Sequence, residues 1–235
     1  MHRHRNKKLF VLAYVSGVIV GSVFHLLKLI RLIEVQHEDR LPRRQKSLLV
    51  LPNHPSLKEP AFAPPLFMKE WIFSPVEWGP WSTPDRNNLR KVFWFMWIGG
   101  SRNLPMARKR LKGERREALA REMRASRRRL HVVLRSGGRV VYFTEGGRTT
   151  SVPVEKRIRT PKGKELRPLR PSLGDLVVAT GASVLPIWFE YPTSGWVWIR
   201  IKIGKLIPFD LTMTGSDIKN VVQESLLALA DEGED

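Results

Sequence analysis

A histidine and a carboxylate stand five residues apart where a short apolar run, Ser47–Pro52, comes to an end. On a regular helix, positions i and i+5 face about 140° apart, so His54 and Glu59 meet only if the histidine lies on a loop and Glu59 opens the next helix. A carboxylate that accepts the N–H of one imidazole nitrogen leaves the other nitrogen to take a proton from a hydroxyl. The alternative interpretation is a loop histidine beside a solvated glutamate.

Two further strings contain groups that bind anionic oxygen. The string Phe143–Thr150 follows a predicted strand and contains Glu145, Gly146, Gly147 and Arg148. The two glycines expose backbone N–H groups, and the arginine beside them supplies a guanidinium. Arg108 begins a long predicted helix, where backbone N–H groups favour an anion. Taken singly, the first string also fits an ordinary turn, and Arg108 also fits a solvated basic helix face.

The order and spacing of these strings resemble the sequence blocks of the lysophospholipid acyltransferase family, the PlsC-like glycerolipid acyltransferases. That family carries the blocks N-H-x-x-x-x-D, I-P-V-x-R, F-P-E-G-T-R-S and V-x-P-V in this order. The corresponding segments of this chain are Asn53–Glu59, Leu104–Arg108, Phe143–Thr149 and Val184–Ile187. The resemblance extends over roughly residues 48–203, which is most of the chain outside its N-terminal segment.

The resemblance implies a role for each matching residue. His54 would be the general base that deprotonates the acceptor hydroxyl, and Glu59 would orient it. Pro186 would shape the acyl-donor side of the pocket. The residues implied to surround the phosphate of the acceptor are Arg108, Glu145, Gly146, Gly147 and Arg148.

The resemblance also implies the reaction, which is direct attack of a lipid alcohol on an acyl thioester. The donor would be acyl-CoA or acyl-ACP, with no metal or redox cofactor. The simplest acceptor is lysophosphatidic acid, which gives phosphatidic acid; an ornithine lipid, a lipid A precursor and a glycolipid are the alternatives. The absence of cysteine and of a G-x-S-x-G motif agrees with a reaction that has no acyl-enzyme.

The chain departs from the family blocks at three places. Glu59 replaces the usual aspartate, a longer form found in some lipid A acyltransferases. Thr144 and Gly147 replace the proline and threonine of the third block, and the basic segment that follows Thr150 is long. These departures bear on the identity of the acceptor more than on the chemistry.

The charge balance predicts an anionic partner. The 235 residues include 41 Lys and Arg against 22 Asp and Glu, a net charge of +19, and no cysteine. Such a surface binds nucleic acid, acidic lipids or phosphorylated molecules. No nucleic-acid-binding motif occurs, so we expect a bilayer with anionic lipids as the partner and no nucleic acid. A non-catalytic basic protein of the membrane surface is the alternative to an enzyme.

The N-terminal segment predicts a membrane anchor. The apolar run Leu9–Phe24 continues towards Ile30, close to the roughly 20 residues that a spanning helix needs. No small-residue cleavage site follows, although an uncleaved signal-like segment or a buried core helix has the same pattern. Basic residues on both sides fit either a span or a helix within one leaflet. We therefore expect an anchor and basic linker at residues 1–46, an acyltransferase domain at 47–235, and a catalytic domain on the cytoplasmic side of the inner membrane.

Beyond the anchor, short β-rich runs alternate with helical stretches. We predict strands at 47–52, 139–143, 183–189 and 195–203, and helices at 60–71, 108–135, 175–180 and 218–230. An aromatic run occupies 92–98, and a basic loop occupies 149–171. This alternation predicts an α/β fold, a mixed and mostly parallel sheet flanked by helices in a glycerolipid acyltransferase-like sandwich, with an N-terminal membrane helix.

Overall fold

A computed structural model describes residues 7–56, 58–91, 102–107, 113–145, 147–210 and 212–233. Its strands are β1 (Ile33–Gln36), β2 (Leu48–Pro52), β3 (Trp81–Ser82), β4 (Arg139–Val141), β5 (Ile158–Arg159), β6 (Glu165–Leu166), β7 (Ser183–Glu190) and β8 (Ile199–Ile203). Its α-helices are α1 (Lys7–Leu29), α2 (Glu59–Phe62), α3 (Met68–Phe73), α4 (Pro75–Trp78), α5 (Arg86–Lys91), α6 (Arg116–Arg135), α7 (Ser172–Thr180) and α8 (Gly215–Asp231).

Six strands form one sheet in the order β1-β8-β7-β2-β4-β3. Every neighbouring pair is parallel except β7 and β8, which run antiparallel. The predicted mixed and mostly parallel sheet is therefore confirmed. Strand β2 lies inside the sheet and all five of its residues are buried, as expected for a strand with helices on both faces.

The two faces of the sheet carry separate apolar clusters. Leu49 and Leu51 of β2 lie on the face covered by α6, α7 and α8. Leu48 and Val50 lie on the other face, with residues of the α2 region and Phe24 near the end of α1. Because side chains alternate along a strand, this four-residue apolar run supplies both layers of the core.

Helix α1 is long and apolar enough to cross a membrane, with a mean hydropathy of 2.1. One of its faces packs on the domain, where a Cβ at Gly17 would overlap Trp71 and one at Gly21 would overlap Met68. The outer face is exposed and apolar, and includes Val11, Val15, Ile19, Val23 and Leu26. The helix is thus docked on the domain by its glycine face and presents its branched residues outward.

Two predicted elements differ in the structure. The helix predicted at 60–71 is broken into α2, a 3-10 turn at Pro64–Phe67 and α3. Pro64 and Pro65 have no N–H to donate, so a continuous α-helix cannot run through them. The basic loop predicted at 149–171 contains two 3-10 turns and the antiparallel pair β5–β6. The low apolar content of this segment gave no strand signal in the sequence; in the structure Glu165 of β6 forms ion pairs with Arg157 and with Arg159 of β5.

Other differences concern where elements begin. Strand β1 lies inside the segment 1–46 and pairs in parallel with β8 at the edge of the sheet. Helix α6 begins at Arg116, and residues 108–112 at the start of the predicted helix lie outside the described residues. The aromatic run at 92–98 also lies outside them.

Candidate active site

His54 and Glu59 form a hydrogen-bonded pair at the carboxyl end of β2. His54 lies on the loop that leaves the strand, and Glu59 is the first residue of α2, the arrangement that the five-residue spacing required. Nδ1 of His54 lies 2.8 Å from Oε2 of Glu59. Nε2 has no hydrogen-bond partner among the residues that the structure describes, and the imidazole side chain is 11% exposed. The pair is therefore arranged for proton uptake at Nε2.

Three further donors fix the glutamate. Its Oε1 accepts the backbone N–H of Ser56 at 2.9 Å, the Ser56 hydroxyl at 2.7 Å and the Tyr191 hydroxyl at 2.7 Å. Burial raises the pKa of Glu59, but the hydrogen bonds from His54, Ser56 and Tyr191 outweigh burial and bring that pKa below its ordinary value. Glu59 is consequently a carboxylate, and a carboxylate at Oε2 keeps the imidazole proton on Nδ1.

Asn53 aligns the loop that carries His54. Its side-chain amide donates to the Phe189 carbonyl at 3.0 Å, and its Oδ1 accepts the Phe189 N–H at 2.6 Å. Its backbone N–H continues the pairing with β7 by donating to Ile187 at 3.2 Å. The asparagine therefore extends the sheet by one residue beyond β2 and sets the position from which His54 projects.

Glu145 ties a second loop to the same histidine. One carboxylate oxygen accepts the backbone N–H of His54 at 2.5 Å, and the other accepts the Thr149 hydroxyl at 2.6 Å. The backbone N–H of Thr149 in turn donates to the His54 carbonyl at 2.9 Å. The sequence predicts Glu145 beside a phosphate, but in the structure both of its oxygens accept hydrogen bonds from protein groups. Its geometry is that of a residue that positions the loop that carries His54.

Protonation of Glu145 is expected to affect stability near neutral pH. Burial raises the pKa of this carboxyl to about 7, even though Thr149 and the backbone of His54 donate to it. Between the ordinary pKa of a glutamate, 4.5, and about 7, Glu145 therefore holds a proton in the folded chain that it has already lost in the unfolded chain. The resulting stabilisation is complete at acidic pH and disappears as pH rises through about 7.

We expect the free energy of unfolding of the wild type to fall between pH 5 and 7 relative to that of Glu145→Gln, by at most about 1.4 kcal/mol per pH unit. The glutamine retains an oxygen for the His54 N–H and cannot ionise. Urea unfolding in a mild detergent at pH 5, 6, 7 and 8 measures the difference. Parallel pH dependences of the two proteins would show that Glu145 has an ordinary pKa.

The remaining predicted site residues are distributed differently. Gly147 and Arg148 lie on the loop that Glu145 begins, and Arg148 is exposed. Pro186 is buried inside β7, in register with Leu51 of β2. Arg108 and Gly146 lie outside the described residues. In the described ranges, no group of three or more histidines and carboxylates is arranged to hold a metal ion.

Three residues that contact these side chains were not predicted from the sequence, namely Ser56, Thr149 and Tyr191. Ser56 and Thr149 lie inside the matched blocks, but no spacing rule assigned them a partner. Tyr191 directly follows β7, which runs parallel to β2. Because the carboxyl ends of parallel neighbours meet at one edge of a sheet, that pairing would have placed Tyr191 close to the residues that follow β2.

Comparisons with known proteins find similarity to a protein family and to solved structures. Residues 32–190 match the model of the protein family described as Acyltransferase. The crystal structure of the 1-acyl-sn-glycerophosphate (LPA) acyltransferase, PlsC, from Thermotoga maritima is similar with a TM-score of 0.56 and 17% sequence identity, over 100% of this chain and 86% of that one. No curated protein sequence matches significantly. At this identity the structural likeness shows the fold alone.

Proposed function

This chain belongs to the acyltransferase family, and we propose that it transfers a fatty acyl group from acyl-CoA or acyl-ACP to the free hydroxyl of lysophosphatidic acid, giving phosphatidic acid. The observation that carries the proposal is the 2.8 Å contact between His54 Nδ1 and Glu59 Oε2. It leaves Nε2 to act on a hydroxyl brought by the substrate, which is the task of a general base in direct acyl transfer.

The proposed step needs only the residues of this pair. The acceptor oxygen attacks the thioester carbonyl carbon while its proton moves to Nε2 of His54. The C–S bond then breaks, the new ester is released, and the departing sulfur takes the proton back from the imidazolium. Glu59 keeps Nδ1 protonated throughout and stabilises the transient positive charge on the ring. No metal or redox cofactor takes part in the proposal.

We propose an acceptor that carries a phosphate, because the loop after β4 contains groups that bind anions and lies beside His54. Glu145 holds this loop to the backbone of His54, and Arg148 on the same loop is exposed. A guanidinium and glycine N–H groups suit a phosphate. Arg108, Gly146 and Gly147 complete the proposed headgroup site, and Pro186 remains the proposed residue of the acyl-donor side.

We also propose that the enzyme works at the cytoplasmic face of the inner membrane. Helix α1 offers an exposed apolar face, and Phe73 and Val76 near α3 and α4 are 86% and 73% exposed. Apolar surface of this kind is stabilised by lipid, and the net charge of +19 favours anionic headgroups. Both features support a catalytic domain held against the bilayer that contains its substrates.

The test is an acyl-transfer assay with purified protein in mixed detergent–lipid micelles. Radiolabelled acyl-CoA and acyl-ACP are each offered with lysophosphatidic acid, with a lysophosphatidylglycerol and with a monoacylglycerol that lacks phosphate. We expect labelled phosphatidic acid to form, with kcat/KM for lysophosphatidic acid at least 10-fold above that for monoacylglycerol, the discrimination expected for a lost charged hydrogen bond.

Two results would contradict the proposal. Equal or better transfer to monoacylglycerol would remove the phosphate from the recognition and favour another lipid acceptor, such as a glycolipid. No transfer to any lipid hydroxyl from either donor would contradict the reaction itself. The use of both donors in parallel separates the choice of donor from the choice of acceptor.

A further inference from the structure

We infer that Arg167 supplies a second guanidinium to the acceptor site, and that the site is therefore built for the dianionic headgroup of a phosphomonoester. This inference rests on the proposed function. Arg167 belongs to none of the matched sequence blocks and comes from the long basic segment after Thr150. The fold returns this segment to the loop after β4.

The guanidinium of Arg167 lies in the space that a side chain at residue 147 would begin to fill. A Cβ at Gly147 would lie 2.8 Å from Nη1 of Arg167. The block that this loop resembles has threonine at this position, and its side chain would require the guanidinium to move. Two departures from the family pattern, the glycine and the basic segment, thus meet at one contact.

The local structure holds Arg167 in place. Nη1 donates to Ser151 Oγ at 3.2 Å, and the backbone of Arg167 is near enough to Glu145 to lower the pKa of that carboxyl slightly. Glu145 accepts the backbone N–H of His54, so Arg167 and the loop that carries His54 lie near the same buried carboxylate. Leu166 and Leu169, on either side of Arg167, are buried in the core.

Arg167 differs from the two arginines at β5 in having no partner among the carboxylates that the structure describes. Glu165 pairs with Arg157 at 2.5 Å and with Arg159 at 3.0 Å, so these two guanidiniums have a carboxylate partner. In the described part of the chain, neither Arg167 nor Arg148 forms an ion pair. Arg148 follows Gly147 in the chain and is exposed, and Arg167 Nη1 lies beside Gly147, so both of these arginines adjoin this glycine.

Two guanidiniums match the charge of a phosphomonoester better than that of a phosphodiester. A phosphomonoester carries between one and two negative charges near pH 7, because its second pKa is about 6, whereas a phosphodiester carries one. Guanidinium also donates two parallel hydrogen bonds to phosphate oxygens. Recognition by Arg148 and Arg167 together would favour lysophosphatidic acid over a lysophospholipid whose phosphate bears a second alcohol.

The test compares Arg167→Gln, Arg167→Lys and the exposed Arg170→Gln as the matched control from the same segment. We expect Arg167→Gln to raise the KM for lysophosphatidic acid roughly 10-fold or more with little change in kcat, as expected for the loss of a charged hydrogen bond. The KM for lysophosphatidylglycerol should change less. Arg167→Lys should recover part of the loss, and Arg170→Gln should behave like the wild type.

Gly147→Thr provides an independent readout of the same contact. Its side chain should displace Arg167 and raise the KM for lysophosphatidic acid as Arg167→Gln does, and the double variant should be no worse than either single variant. Additive effects would overturn the contact as the cause. Equal losses for both acceptors in Arg167→Gln would likewise overturn the assignment and indicate a structural role.

Binding separates failure of this inference from failure of the proposed function. Isothermal titration calorimetry with lysophosphatidic acid in detergent micelles measures affinity without acyl transfer. Weaker binding by Arg167→Gln supports the anion site even if the wild type transfers no acyl group to this lipid. Unchanged binding together with an unchanged KM overturns the site even if the enzyme is active.

Discussion

Replacement of His54 by alanine is expected to lower kcat/KM for acyl transfer by roughly 10²–10⁴-fold, the usual contribution of a general base. The backbone contacts of the loop should survive, because Glu145 and Thr149 bind the main chain of His54 rather than its ring. Glu59 also keeps its donors from Ser56 and Tyr191, so its charge remains satisfied in part. The loss should therefore come from the missing imidazole and not from a collapsed loop.

The measurement is steady-state transfer of a labelled acyl group by the wild type, His54→Ala and His131→Ala. His131 lies on α6 and serves as the matched control, with activity expected within about 2-fold of the wild type, as for a surface substitution. Circular dichroism and thermal unfolding establish that His54→Ala is folded. A folded His54→Ala protein that retains more than a tenth of the wild-type kcat/KM would exclude His54 as the general base.

The elements that position this histidine were predictable because their sequence signals are local. The apolar runs at 47–52 and 183–189 became β2 and β7 to within one residue, and the amphipathic pattern at 218–230 became the interior of α8. The dyad was predicted from the family resemblance, because the five-residue spacing of His54 and Glu59 permitted their contact but left a solvated glutamate as the alternative. A short apolar run bounded by turn residues favours a buried strand, because its length is too small for a typical helix.

The missed features depend on partners that are distant in sequence. Strand β1 has only four residues, and its hydrogen bonds come from β8, more than 160 residues further along the chain. Tyr191 reaches Glu59 across 132 residues, and Arg167 reaches the loop after β4 only because the β5–β6 pair folds the basic segment back. None of these contacts produces a periodic pattern in the sequence, so they could be predicted only with knowledge of the strand order.

Substitution of Glu59 by glutamine should be nearly as damaging as the loss of the histidine, although it removes no volume. Oε1 accepts three hydrogen bonds, from Ser56 N, Ser56 Oγ and Tyr191 OH. The amide oxygen of a glutamine will take this place, since an NH₂ group there would face three donors. The NH₂ group then faces Nδ1 of His54 and donates to it. The imidazole proton must move to Nε2, the atom that is needed to receive the proton of the acceptor.

We therefore expect Glu59→Gln to lower kcat roughly 10²–10⁴-fold, the range of a lost general base, with the KM for acceptor nearly unchanged. Glu224→Gln, on the exposed face of α8, is the isosteric control and should not alter either constant. A kcat within about 3-fold of the wild type would mean that the tautomer is fixed by something other than Glu59.

Graded variants separate the charge of Glu59 from its placement. Tyr191→Phe removes one of the donors to Oε1 and should lower kcat about 10-fold, the value of one hydrogen bond to a charged group, whereas Tyr142→Phe should leave kcat unchanged.

Glu59→Asp keeps the charge but shortens the side chain, so its carboxylate cannot reach His54 with one oxygen and both Ser56 and Tyr191 with the other. If the length of Glu59 is needed for its hydrogen bond with Tyr191, that bond is already broken in Glu59→Asp. Tyr191→Phe should then lower kcat less in the Glu59→Asp protein than in the wild type. Fully additive losses would show that Tyr191 acts independently of the carboxylate.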